Sequence, residues 1–251
     1  FNGLIYNHRA LRSELEALGH HFTSDHADTE VLVHGWKEWG CGLFIRIDGM
    51  FALAIYDRNK NTITLARDRF GEKPLYYAGL SNTFVFGSEL TALLKHPALE
   101  HVSVSKIALQ KFFAHGFFPA PHTPYEGVSK LLPGQYLTVD TKTLSTKSHT
   151  YWRFSLDGRT TPPGTPDDWA AELEGVLSDA VTSRLDSDVP LGLFLSGGID
   201  SSAILSCAAD VRPPSTLDTF SIGFRETSFD ESPWAEEMAL RVGSTHHVEI
   251  C

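Results

Sequence analysis

From Ser183 to Cys251 this chain contains no lysine, which removes the residue that a Walker-type phosphate loop needs after its second glycine. Cysteine is scarce too. Cys41, Cys207 and Cys251 are widely spaced and odd in number, so neither a disulfide framework nor a cysteine-rich zinc site is suggested. A reducing cytoplasm is the expected compartment. No run approaches the ~20 apolar residues of a membrane span, and the N-terminal residues lack the layout of a signal peptide. Positive charge is in deficit: 21 Lys and Arg against 31 Asp and Glu leave a net charge of −10. That balance argues against a nucleic-acid backbone or an anionic membrane as the main partner. The histidines show no ligand spacing; His20-His21 and His246-His247 are adjacent pairs, whose side chains face opposite ways on a strand. No metal-binding histidine is assigned. What is left is the composition of a soluble globular protein, and 251 residues are enough for two domains with sizeable cores.

The most informative segment is Phe194-Leu195-Ser196-Gly197-Gly198-Ile199-Asp200-Ser201-Ser202. An apolar run, Leu191 to Leu195, reads as a buried strand; it breaks into small residues, and Ser201 to Ala209 is helical in composition. Strand, glycine turn and helix together aim backbone N–H groups at one point in front of a helix N-terminus. Two adjacent glycines leave no Cβ in the way of a large anion. Ser196 and Ser201 add hydroxyl donors, and Asp200 can hold a cation that offsets phosphate charge. The bland alternative is a tight turn that needs glycine only for its dihedrals. The complete SGGIDSS resembles the pyrophosphate loop of the N-type ATP pyrophosphatases, which split ATP to AMP and pyrophosphate while adenylating an acceptor.

Elsewhere the chain reads in two styles. Up to about residue 154 there are helices near Asn7–Gly19, from Asp28 (with Leu32, Trp36 and Trp39 inward), at 89–95 and at 105–114. Strand-like runs lie at 51–56, 62–66, 84–86 and 134–139, the first two joined by a hairpin turn at 57–61. Hairpins without regular strand–helix alternation predict an α+β domain with antiparallel sheets. Residues 155–168 carry Asp-Gly, Pro-Pro-Gly and Thr-Pro steps and read as a linker. Beyond it come an amphipathic helix, 169–185, and then strand, helix, strand, helix and strand to Ile250. That alternation predicts parallel βαβ architecture, with the glycine loop at the carboxyl end of its first strand. The chain opens at Phe1 without Met and ends at Cys251 inside a strand-like run, so it is read as an internal piece of a longer protein.

Four further segments fall in register with SGGIDSS: Phe1-Asn2-Gly3-Leu4-Ile5-Tyr6-Asn7, Asp28-Thr29-Glu30-Val31, Arg67 to Tyr77, and Gly87-Ser88-Glu89. In order and approximate spacing the set is similar to glutamine-hydrolysing asparagine synthase, over nearly the whole chain. The resemblance implies an N-terminal-nucleophile glutaminase domain at 1–154, a class II amidotransferase lacking its nucleophile segment. It also implies the beginning of an ATP-pyrophosphatase synthetase domain at 169–251. The family's activity is AMP-forming amide ligation: aspartate is activated as β-aspartyl-AMP and receives ammonia released from glutamine. ATP and Mg²⁺ follow as cofactors, glutamine and aspartate as substrates, and a homodimer as the candidate assembly.

The resemblance puts Asn2 and Gly3 at the oxyanion hole, and an amide side chain beside an unobstructed backbone N–H can stabilise a developing O⁻. Asn-Gly is equally a hairpin-turn dipeptide. Asp28 matches the carboxylate that binds the α-ammonium of glutamine, although an aspartate there can also cap a helix. Leu4 departs from the motif, which usually reads Asn-Gly-Glu; losing a charged partner for a desolvated ammonium costs roughly 1.5–3 kcal/mol, so glutamine use is weakened or free ammonia is the donor. The family's nucleophile is an N-terminal cysteine acting with its own amine. The chain does not begin with Cys, and Cys41 reads as a structural thiol, so this stretch by itself is not expected to hydrolyse glutamine.

At the second site the resemblance assigns ATP to Leu195, Ser196, Gly197, Gly198, Asp200, Ser201 and Ile222, with Asp200 as the Mg²⁺ ligand. Leu195 and Ile222 also fit as plain core residues, and Asp200 as a helix-cap charge. Asp230-Glu231 reads as the start of a helix. The charge-dense Arg67-Asp68-Arg69 turn is a salt-bridged loop or has a channel or interface role. Two alternatives to asparagine synthesis stay open: a tailoring enzyme that adenylates another carboxylate, and a regulatory homologue that has lost the glutaminase.

Overall fold

The computed structural model describes residues 1–25, 27–156, 163–187 and 189–251. The chain divides into two compact units, Phe1–Asp157 and Gly158–Cys251.

The first unit runs β1 (Asn2–Ile5), α1 (His8–Ala17), α2 (Asp28–Trp39), α3 (Leu43–Arg46), β2 (Gly49–Asp57), β3 (Thr62–Arg67), β4 (Tyr76–Gly79) and β5 (Phe84–Gly87). It continues with α4 (Leu90–Leu93), α5 (Lys106–His115), β6 (Ser129–Lys130), β7 (Gln135–Asp140) and β8 (Thr146–Thr150). An antiparallel sheet has the order β1-β2-β3-β7-β8, and a smaller antiparallel sheet the order β5-β4-β6. Successive side chains of a strand face opposite ways, and the large sheet uses both faces. Phe51, Leu53 and Ala66 join Leu11, Leu15, Val31 and Phe44 in a core between sheet and helices. Ala52, Leu65, Leu137 and Val139 pack with Leu75 and Leu131 in another. This α+β architecture is the expected one.

Local chemistry fixes the turns. Asp57 Oδ1 accepts from the amides of Asn59 and Lys60, closing the β2–β3 hairpin. After β3, the fully buried Asp68 carboxylate accepts the amides of Phe51, Phe70, Glu72 and Lys73. The Arg67 guanidinium donates to the carbonyls of Lys73, Gly71 and Leu131. The charge-dense turn is thus held by side chain to backbone bonds, and Arg69 lies 3.8 Å from Asp48 as its ion-pair partner. Asn7 stands at the N-cap of α1 but does not cap it; its side chain bridges the Arg46 carbonyl and the Asp48 amide. Leu18, at the C-cap of that helix, is exposed.

The second unit comprises α6 (Pro166–Arg184), β9 (Gly192–Phe194), α7 (Ile199–Val211), β10 (Asp218–Gly223), α8 (Ser232–Val242) and β11 (Thr245–Ile250). Its three strands are parallel, in the order β11-β10-β9. Leu195, Leu205, Ala208, Leu217, Ala235 and Ala239 form its core with Val181 and Leu185 of the first helix and its C-cap. That first helix begins three residues before the end of the expected linker. Thr165 and Asp168 form a reciprocal capping box with Pro166 at the first turn. Residues 157–162 of the linker lie outside the described residues. No helix among the described residues is long and apolar enough to cross a membrane.

Candidate active site

Each unit carries a candidate site of its own. In the first, Asn2, Gly3 and Leu4 lie in β1, paired with Ala52, Phe51 and Met50 of β2. The Asn-Gly pair is therefore strand, not the hairpin turn its composition also allows. Gly3 has φ +152°, and a Cβ there would stand 2.0 Å from the Met50 carbonyl oxygen. Only glycine fits at that register. The Asn2 amide donates to Ser88 Oγ at 3.2 Å. Phe1, Asn2, Ala52, Leu53, Ala54, Leu75, Phe86, Gly87 and Ser88 surround a cavity of about 150 Å³.

Asp28 is the first residue of α2, whose N-cap position is held by Ala27 without a side-chain bond. The aspartate does not cap the helix. Its Oδ2 accepts the Ile5 amide at 3.3 Å, and its Oδ1 accepts the Thr29 hydroxyl. The structure thus brings Asp28 to the strand that carries Asn2, Gly3 and Leu4. Cys41 sits half-buried in the 3₁₀ turn Gly40–Gly42, packed against the helix-side core. Burial, followed by a bond to Cys41, raises the pKa of the Tyr136 phenol.

In the second unit β9 delivers the chain into the glycine loop. The Leu195 amide donates to the Phe220 carbonyl at 2.8 Å, which ties the loop entrance to the central strand, and its side chain is buried. Gly197 adopts φ +77°; a Cβ there would lie 2.5 Å from Trp234 Cβ and 2.8 Å from the Ala235 nitrogen. The first glycine is thus required both by its dihedrals and by the close approach of α8. Gly198 is the N-cap of α7, and its amide donates weakly to Ser196 Oγ at 3.4 Å. Ser196 and Ser201 are joined through their hydroxyls at 3.1 Å, and Ser201 Oγ also accepts the Ser196 amide. The amides of Gly197, Ile199, Asp200 and Ser201 have no acceptor among the described residues. Four donors therefore stay free at the start of a 13-residue helix, where the dipole favours an anion.

A cleft of about 430 Å³ opens beside this loop, walled by Leu195, Ser196, Ser201 and Ile222 together with Phe194, Phe220, Phe224, Phe229, Glu231 and Ser232. The half-exposed Ile222 side chain faces solvent at the strand end and is not core. Asp200 stands in the first turn of α7 with an exposed side chain and is not itself part of the cleft wall. Asp230 accepts from the hydroxyl and amide of Ser232 and from the Phe224 amide. These bonds, the Ser232 hydroxyl first, hold its pKa below the usual carboxylate range. Glu231, expected only to open a helix, lines the cleft as well. Phe194 and Phe220 look like core in the sequence because they are apolar residues in strands, and Phe224 follows the carboxyl end of β10, where parallel sheets bind ligands; Phe229 reaches the cleft from a turn that the sequence does not mark.

Residues 1–152 match the family model of a glutamine amidotransferase domain, and residues 172–251 match that of asparagine synthase. These matches define a glutamine amidotransferase unit followed by an asparagine synthase unit. The chain belongs to the family of glutamine-hydrolysing asparagine synthases. It is 37% identical to asparagine synthetase (glutamine-hydrolysing) 3 of Bacillus subtilis (strain 168), over 98% of this chain and 41% of that protein. Two more from the same organism, numbered 1 and 2, are 38% and 36% identical over 97% and 92% of this chain, and over 37% and 31% of their own lengths. The chain therefore spans less than half the length of these relatives. Among solved structures, one titled as the allosteric regulatory enzyme of purine biosynthesis aligns at TM-score 0.43 and 17% identity. It covers 99% of this chain and 58% of that one, a likeness too remote to add to these.

Proposed function

We propose that the chain forms the glutaminase unit and the nucleotide-binding start of an ATP-dependent, AMP-forming amidoligase. The reaction makes asparagine from aspartate, with glutamine or ammonia as nitrogen donor. The observation that carries this reading is the loop at 196–201, with four free amides beside a 430 Å³ cleft. A polyphosphate satisfies those donors, and the apolar cleft wall suits a planar base. The aspartate β-carboxylate attacks the α-phosphorus of ATP; pyrophosphate leaves toward the loop amides and the Ser196 and Ser201 hydroxyls, giving β-aspartyl-AMP. Ammonia then attacks the acyl carbon, and AMP departs. Leu195 and Ile222 hold the nucleoside through main-chain and apolar contacts.

Asp200 fits Mg²⁺: a single exposed carboxylate beside a phosphate site is a usual way of holding this cation, with substrate phosphates and water completing its shell. When bound, the cation neutralises phosphate charge. In the first unit, Asn2 Nδ2 and the Gly3 amide receive the oxyanion that forms when the glutamine carboxamide is attacked. Asp28 binds the α-ammonium of the substrate, and Leu4 leaves that ammonium with one partner fewer than the family motif supplies.

The test is exchange of labelled pyrophosphate into ATP by the full-length protein, with a panel of carboxylic acids. Exchange that depends on aspartate is expected; no exchange with any acid contradicts the reading.

A further inference from the structure

The Gly87-Ser88-Glu89 segment has no role in either site as assigned so far. Ser88 follows β5 in the small sheet, whereas Asn2 opens β1 at the edge of the large sheet. Eighty-six positions apart, the two meet: Asn2 Nδ2 donates to Ser88 Oγ at 3.2 Å, and both line the same cavity. This is the one hydrogen bond of the Asn2 side chain among the described residues. A side-chain amide has two N–H bonds at a fixed angle. With one directed at Ser88, the rotation about the last torsion is set, and the second N–H is left for a ligand in the cavity. Without that anchor the exposed amide rotates and turns its carbonyl toward the cavity for part of the time, which repels an oxyanion.

We propose that Ser88 is a positioning residue for glutamine hydrolysis, fixing the Asn2 amide so that its free N–H points at the forming oxyanion. The inference rests on the oxyanion-hole reading of Asn2. Because the anchor acts through transition-state charge and not on bound glutamine, its loss lowers kcat and leaves KM in place.

The experiment measures glutamate release and ammonia-dependent asparagine synthesis by the full-length protein and its Ser88→Ala, Ser88→Thr, Asn2→Ala and Ser88→Ala/Asn2→Ala variants. Removing one oxyanion donor costs about 100- to 1000-fold in kcat, so loosening one is expected to cost about 10-fold. Ser88→Ala should show that loss with KM unchanged, Ser88→Thr should restore the rate, and Ser88→Ala should add little in the Asn2→Ala background. An unchanged kcat, or an equal loss in both backgrounds, overturns the proposal. So does loss of ammonia-dependent synthesis in Ser88→Ala, which marks a merely structural role. A wild-type protein that releases no glutamate overturns the glutaminase reading itself, and this inference with it.

Discussion

The Asp28 carboxylate receives the backbone amide of Ile5 at 3.3 Å, fixing the start of α2 to the strand that carries Asn2 and Gly3. Ile5 is fully buried, so this amide has little access to water. Asp28→Ala should destabilise the protein by about 1–2 kcal/mol, the cost of a buried donor left unpaired. Asp28→Asn keeps an acceptor and should cost less. Both should raise the KM for glutamine, since both remove the charge proposed to bind its ammonium. Chemical denaturation and glutaminase kinetics check the two effects separately; a KM unchanged in both variants contradicts the substrate-binding role.

Leu4 lies between Gly3 and Ile5 in β1, paired with Met50. Leu4→Glu restores the family's usual carboxylate. A charged partner for a desolvated ammonium contributes roughly 1.5–3 kcal/mol, so the KM for glutamine should fall about 10-fold or more. Ammonia-dependent synthesis should be unaffected. Equal glutamine kinetics in the two proteins would show that Leu4 does not weaken glutamine use.

At Gly197 the added methyl of an alanine would press on the backbone of Trp234 and Ala235, at a φ that suits glycine. Gly197→Ala should destabilise the protein by about 1–3 kcal/mol. It should also displace the loop amides and abolish ATP binding, while glutaminase activity persists. Calorimetric titration with ATP at a temperature where the variant remains folded is the check. Wild-type affinity would mean that these amides do not hold the nucleotide.

Glu30 clamps the segment before α2: it accepts the amides and hydroxyls of both Thr23 and Ser24. These bonds, the Ser24 hydroxyl first and the Thr23 amide next, lower its pKa to about 2. An unfolded glutamate titrates near about 4.3. The folded value is the lower one, so the clamp's stabilisation is complete above that unfolded value. It is lost as pH falls from there through about 2. Carbon-detected NMR of the Glu30 carboxyl should give a midpoint near 2, with the Thr23 and Ser24 amides still protected at pH 4. A midpoint near the unfolded value would contradict the clamp.

Much of the fold is legible because burial imprints a period on the sequence. β2, β3 and β7 carry apolar side chains set by the two packed faces of the sheet, and the alternation of β9 to β11 with α7 and α8 follows from parallel topology. The strand β8 leaves no such trace: Thr146–Thr150 is polar and largely exposed, and it is a strand only because β7 offers a partner. The glycine loop is legible for a different reason, since Gly197 answers a steric demand that few other sequences meet. The contacts of Asp68 and the Asn2–Ser88 pair are invisible in the sequence, because their partners are backbone amides or residues 86 positions away. Phe194, Phe220 and Phe224 look like core until the strand ends are known.

Aspartate labelled with ¹⁸O in its β-carboxylate tests the chemistry most directly. If that carboxylate attacks the α-phosphorus while pyrophosphate departs into the 196–201 loop, one labelled oxygen must leave with AMP once ammonia displaces it. Mass spectrometry of the nucleotide product from the full-length protein should therefore find AMP carrying a single ¹⁸O for each asparagine formed. Asparagine formed with unlabelled AMP, or with ADP and labelled phosphate, would contradict the adenylate and the role given to the loop.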